Sequence, residues 1–137
     1  MSKFIRNVCR AALVAAVGLV SIANAADVVV VMGADATAPT KDQIKSVYLG
    51  RNTELKPLDL PESNPARQLF YKKATDRDAA QVRAVWARIV LTGQGKAPKE
   101  LADAAAVKKA VAADPKAIGY ILQSDVDATV KVVLSLE

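Results

Sequence analysis

The residues best equipped for chemistry lie in one short run, Glu62-Ser63-Asn64-Pro65-Ala66-Arg67. Asn64 followed by Pro65 reads as a helix start, with Asn as the cap and Pro in the first turn, where its missing N–H costs nothing. A helix start carries partial positive charge and free N–H groups, and so attracts oxyanions. Ser63 and Asn64 would add side-chain contacts, and the Arg67 guanidinium a charge-assisted bond. The same residues also fit an ordinary cap, with Asn64 closing the helix and Arg67 a solvated charge. A second helix start is marked by Thr40 and Gln43, which have capping-box spacing. Thr37 and Thr40 flank it and would extend an anion site, although the capping box alone explains Thr40.

Other chemistry finds little to work with. The 137 residues include no His and one Cys, Cys9. That excludes His-based triads and the commonest zinc sites. The carboxylates show no pairing suited to general acid–base work, so no catalysis, cofactor or metal is expected. Gly93-Gln-Gly-Lys96 lacks the four-residue spacer and trailing Ser/Thr of a phosphate loop and follows a helical stretch, so it reads as a helix stop. Asp125-Val-Asp127 lacks the remaining oxygen ligands of a calcium loop. Tyr48, Tyr71 and Tyr120 are too scattered along the chain to argue a platform for stacking bases.

The elements that must position these residues follow a leader. Lys3, Arg6 and Arg10 precede an apolar run, Ala11 to Val20, and Ala23-Asn24-Ala25 is a small-x-small cleavage site. This is the pattern of a secretory signal peptide over 1–25, with a run too short to span a bilayer. Removing it leaves residues 26–137, with 16 basic and 14 acidic residues against 19 and 14 in the whole chain. Much of the basic character therefore belongs to the leader, and a nucleic-acid partner loses its main support. No stable membrane insertion is expected after cleavage. The 112 residues that remain can bury a core of their own.

Within 26–137, the β-branched run Asp27–Met32 predicts a strand covered on both faces. A helix is expected over about 41–49 and closes at Gly50. A strand at 56–60 ends at Pro61. The helix from Pro65 presents Ala66, Leu69, Phe70 and Lys73 on one face and breaks at Asp76-Arg77-Asp78. Val82, Val85, Trp86, Ile89 and Val90 form the clearest apolar stripe, which places Trp86 in the core. Gly95–Lys99 reads as a loop and 101–113 as a helix facing inward through Leu101, Ala104, Val107, Ala110 and Val111. Strands at 118–122 and 130–136 complete a β-α-β-α-α-α-β-β order, a single α/β layer structure.

Five pieces in this order resemble one lobe of the phosphate ABC-transporter substrate-binding proteins, which have the type II periplasmic-binding-protein fold. They are the valine strand leading to Thr40-Lys-Asp-Gln-Ile-Lys-Ser-Val-Tyr-Leu-Gly50; the Leu58–Pro61 strand leading to Glu62–Phe70; Trp86-Ala-Arg-Ile-Val-Leu-Thr-Gly93; Pro98-Lys-Glu; and Ala117-Ile-Gly-Tyr120. The resemblance implies a mixed sheet flanked by helices, and a small secreted, periplasmic, non-catalytic protein. It implies a ligand of the phosphate or related oxyanion class, held weakly at Ser63, Asn64, Arg67 and Thr40, and a link to phosphate ABC transport. The alternative is a lobe that has lost ligand binding and docks on a membrane transporter or sensor partner. Two departures bear on the choice. Full binding proteins of this kind are about twice as long and enclose the ligand between two lobes. Their phosphate loop reads Asp-Gly-Ser-Gly-Thr, where this chain has Glu62, Ser63, Asn64, Pro65 and Ala66. The hydroxyl pair is replaced by Asn64 and Ala66, and Pro65 has no N–H to offer.

Overall fold

A computed structural model describes residues 27–136. The leader, Cys9 and the expected cleavage site lie outside the described residues. The elements run β1 (Val28–Met32), α1 (Lys41–Tyr48), β2 (Lys56–Asp59), α2 (Pro65–Thr75), α3 (Ala79–Leu91), β3 (Lys99–Glu100), α4 (Ala104–Ala113), β4 (Ala117–Leu122) and β5 (Lys131–Leu136). The strands form one mixed sheet in the order β3-β2-β4-β1-β5. β2 runs parallel to β3 and β4, whereas β1 runs antiparallel to β4 and β5. The chain is thus an α/β protein with a five-stranded mixed sheet and flanking helices.

Every residue of β1 is buried. Successive strand side chains point to opposite faces, so uniform burial means that both faces are covered. Helices α2 and α4 both pack against it. The expected strand is therefore present, although both of its neighbours are antiparallel.

Helix boundaries follow local chemistry. Thr40 caps α1 through a complete capping box: its Oγ1 accepts from the Gln43 N–H at 3.2 Å, and its own N–H donates to Gln43 Oε1 at 2.8 Å. At the other end Gly50 takes φ +75°, which lets the Gly50 N–H reach the Val47 carbonyl and the Arg51 N–H reach Ser46. This is a Schellman stop, and it needs the left-handed conformation that glycine adopts without strain. Asp78 and Gln81 form a second capping box that starts α3 at Ala79, one turn before the apolar stripe becomes visible in the sequence. Gly93 ends α3 by the same Schellman pattern, so Gly93-Gln-Gly-Lys96 is a helix stop.

Two expectations are corrected. Lys99, the last residue of the expected loop, forms with Glu100 a short parallel strand on β2, with the Leu101 N–H donating to the Asp59 carbonyl at 2.8 Å. Two residues carry too little periodicity to be read as a strand. The helix expected over 101–113 starts at 104, because the Asp103 side chain accepts from the Ala106 N–H at 2.9 Å and fixes the cap there.

Candidate functional site

Helix α2 begins as its sequence dictates. Asn64 is the cap, and its Oδ1 accepts from the Ala66 N–H at 3.0 Å. Pro65 has no N–H, and the Arg67 N–H donates to the Asn64 carbonyl at 3.1 Å. The first donors of the helix are therefore absent or engaged within the turn itself. Ser63 is exposed and Asn64 half-buried beside it.

Arg67 is not the solvated charge of the ordinary-cap reading. It is 8% exposed, carried inward on the face of α2 that also buries Phe70, Tyr71 and Ala74. Its Nη1 donates to the Leu60 carbonyl at 3.0 Å. Nη2 lies 3.7 Å from Asp59 Oδ2 and Nη1 lies 3.5 Å from Glu100 Oε2. Those separations give ionic attraction but are long for charge-assisted hydrogen bonds. Nε is buried and, among the described residues, without a partner. A guanidinium has five N–H groups, so Arg67 is nearly enclosed and short of acceptors.

The carboxylate facing it, Asp59, ends β2 and is also buried. Its Oδ1 accepts from the Leu60 N–H at 2.9 Å and from the Tyr120 hydroxyl, and its Oδ2 accepts from the Tyr71 hydroxyl at 2.6 Å. The Tyr48 hydroxyl lies 2.8 Å from the Leu58 carbonyl and 3.1 Å from that of Ile118, sharing its one proton between β2 and β4. Around these groups the rings of Tyr48, Tyr71 and Tyr120 close on Phe70, which stacks on Tyr120 at 4.1 Å. The three tyrosines that look scattered in the sequence thus meet in one buried cluster. They form part of the core and offer no open stacking surface.

Burial, and after it the Asp59 charge, pushes the Tyr48, Tyr71 and Tyr120 hydroxyls well above the usual tyrosine range. They remain neutral donors in the folded chain, while in the unfolded chain they ionise near pH 10. A folded value above the unfolded one gives stability that is complete below about pH 10 and declines as the pH rises past it. Urea titrations from pH 7 to 11 should show a constant unfolding free energy up to about pH 9 and a progressive loss above about pH 10. An unchanged value at pH 11 would contradict this account of the cluster.

Arg67 also faces outward into an open cavity of about 470 Å³, lined by Glu62, Arg67, Arg83 and Glu100. Arg83, on α3, pairs with Glu62. Both of these side chains are more than half exposed, and such a surface pair contributes little. Two guanidinium groups and two carboxylates therefore converge beside the start of α2, with exposed Ser63 next to Glu62. Thr40 is not brought to this place. The cavity next to its helix start is lined by Thr37, Ala38, Pro39 and Gln43 among others and shares no residue with the Arg67 cavity. Sequence reasoning missed Asp59, Arg83 and Glu100. Arg83 sits on the polar side of a clear amphipathic helix and Glu100 on a two-residue strand, so neither carries a local signal.

Among the described residues there is no group of three or more acidic, His or Cys side chains placed to hold a metal. None of the described helices is long and apolar enough to cross a membrane.

The five-stranded mixed sheet and its flanking helices match part of the fold of solved phosphate-transport proteins. The chain is similar in structure to an ABC-type phosphate transport receptor from Vibrio cholerae, with TM-score 0.55 and 18% identity, over 77% of this chain and 44% of that one. It is similar also to a chain from Clostridium perfringens assigned as a phosphate ABC transporter substrate-binding protein and holding bound phosphate. There the TM-score is 0.60 and the identity 19%, over 77% of this chain and 43% of that one. The likeness is one of fold, and this chain spans less than half the length of either structure. No protein-family model and no curated protein matches the sequence.

Proposed function

We propose that the chain is an exported, non-catalytic lobe of the solute-binding type, acting in the periplasm on a phosphate-like oxyanion and linked to phosphate ABC transport. In this reading residues 1–25 are the leader and 26–137 the binding lobe. One observation carries it: Arg67, nearly buried and short of acceptors, lines an open cavity with a second guanidinium, Arg83. An oxyanion there would accept from both, with Ser63 at the margin. Glu62 would be displaced from Arg83 at little cost, because an exposed pair is worth about 0–1 kcal/mol. Binding is weak in this proposal. The helix start has no free donor in its first positions, Glu62 and Glu100 compete for the same guanidinium groups, and a single lobe leaves the anion in contact with water. Thr40 plays no part in it.

A second reading has its own support. The engaged donors at Asn64, Ala66 and Arg67, and the near balance of two guanidinium groups by two carboxylates, suit a lobe that no longer takes a solute and instead docks on a transporter or sensor protein.

Thermal melts separate the two. At ~10 mM phosphate a millimolar site adds about 1.4 kcal/mol, a rise in Tm of several degrees for a domain of this size. Arg83 is exposed, so Arg83→Ala should keep the fold and lose that rise. No rise in the parent protein would favour the docking reading, and an equal rise in Arg83→Ala would mean that phosphate binds away from the Arg67–Arg83 cavity.

A further inference from the structure

We infer that the oxyanion taken by this lobe carries an apolar organic group, as an aryl or alkyl phosphate does, and is not bare phosphate. The inference rests on the oxyanion reading above and concerns what lies beyond the charged cavity. A second cavity, of about 110 Å³, shares Arg67, Arg83 and Glu100 with the first and extends to Val82, Trp86, Ala97 and Pro98. A third, of about 280 Å³, shares Trp86, Ala97 and Pro98 with the second and continues to Val47, Leu55 and Ile89. The three adjoin through shared lining residues, and a trench running across them would have guanidinium groups at one end, Trp86 midway and aliphatic side chains at the far end.

Two glycines let the backbone of the far end close on Ile89. A side chain at Gly50 would collide with Ile89, its Cβ falling 2.4 Å from Cδ1, and one at Gly95 would press on the same residue at 3.2 Å. The cations on the far rim are Lys56, which is already paired with Asp114 at 2.9 Å, and Lys99. The Arg67 end sets two guanidinium groups against Glu62 and Glu100, and beyond it lies the apolar surface of Val47, Leu55, Trp86 and Ile89, with Lys56 and Lys99 at its rim. Inorganic phosphate has no atoms to place beside Trp86, Pro98 and Ile89. A ring or short alkyl chain attached to the anion does, and the apolar surface it removes from water strengthens binding.

Calorimetric titration of the purified protein with phenyl phosphate and with inorganic phosphate, at equal ionic strength, tests this. Phenyl phosphate should bind about tenfold tighter or better, as expected for burying most of a ring, and should shift the Trp86 emission where inorganic phosphate does not. Ala97 is exposed and lines both the middle and the far cavity. Ala97→Phe should therefore fill the passage and bring the preference for phenyl phosphate close to one, with an unchanged melting profile as the check on folding. Equal affinities in the parent protein would overturn this inference and leave the oxyanion reading intact. Absence of binding by either compound at ~10 mM, above the weak range expected here, would overturn both. A preference that survives Ala97→Phe would show that the trench is not its cause.

Discussion

Asp59→Ala is expected to cost about 3–5 kcal/mol of stability, because it breaks a buried ion pair from one side. The carboxylate accepts from the Tyr71 and Tyr120 hydroxyls and from the Leu60 N–H, and it faces the Arg67 guanidinium at 3.7 Å. Without it, two buried hydroxyls lose their acceptor, and Arg67 keeps only Glu100 as a counter-charge, at 3.5 Å. Each uncompensated polar group adds its own desolvation cost. Asp59→Asn keeps oxygen and shape but removes the charge, so its loss should be smaller. Urea unfolding of the three proteins measures this. A loss below about 1 kcal/mol for Asp59→Ala would mean that the network does not hold β2, α2 and β4 together as the geometry indicates.

Trp86→Ala should cost a similar amount, about 3–5 kcal/mol, as expected for truncating a large core aromatic. Trp86 is 9% exposed, and its indole N–H donates to the Tyr48 carbonyl at 2.8 Å. The bond ties α3 to the last residue of α1. The indole edge also packs on Gly50, which has no side chain to fill the space left behind. Truncation therefore opens a void and leaves a carbonyl without its donor. The parent protein should show blue-shifted tryptophan emission that iodide quenches poorly. Emission typical of water-exposed indole would contradict the packing described here.

How much of this was legible in the sequence depended on how locally each feature is encoded. Capping boxes at Thr40–Gln43 and Asp78–Gln81, the Asn64-Pro65 start and the glycine stops at 50 and 93 are written within three or four residues, and each marks a real boundary. The uniform burial of β1 followed from an unbroken β-branched run. The resemblance carried by five ordered pieces led to the right mixed α/β fold. The candidate site was legible only in part. Ser63, Asn64 and Arg67 do lie together at the start of α2, but the inward turn of Arg67 depends on Asp59 and Glu100, which come from two different strands. The meeting of Tyr48, Tyr71 and Tyr120 likewise depends on the β2–β4 pairing, which no spacing along the chain encodes. Arg83 looks like any solvent-facing residue of an amphipathic helix until α2 is placed beside it.

Under the proposed function the chain holds a phosphate-class oxyanion weakly, through Arg67 and Arg83. Calorimetric titration of the purified protein with inorganic phosphate, at low and at raised ionic strength, tests it most directly when sedimentation shows the sample to be monomeric. The expected result is a dissociation constant of about 1–10 mM that weakens further as salt screens the two guanidinium groups. Micromolar affinity in the monomer, or no heat of binding at ~10 mM phosphate, would contradict it.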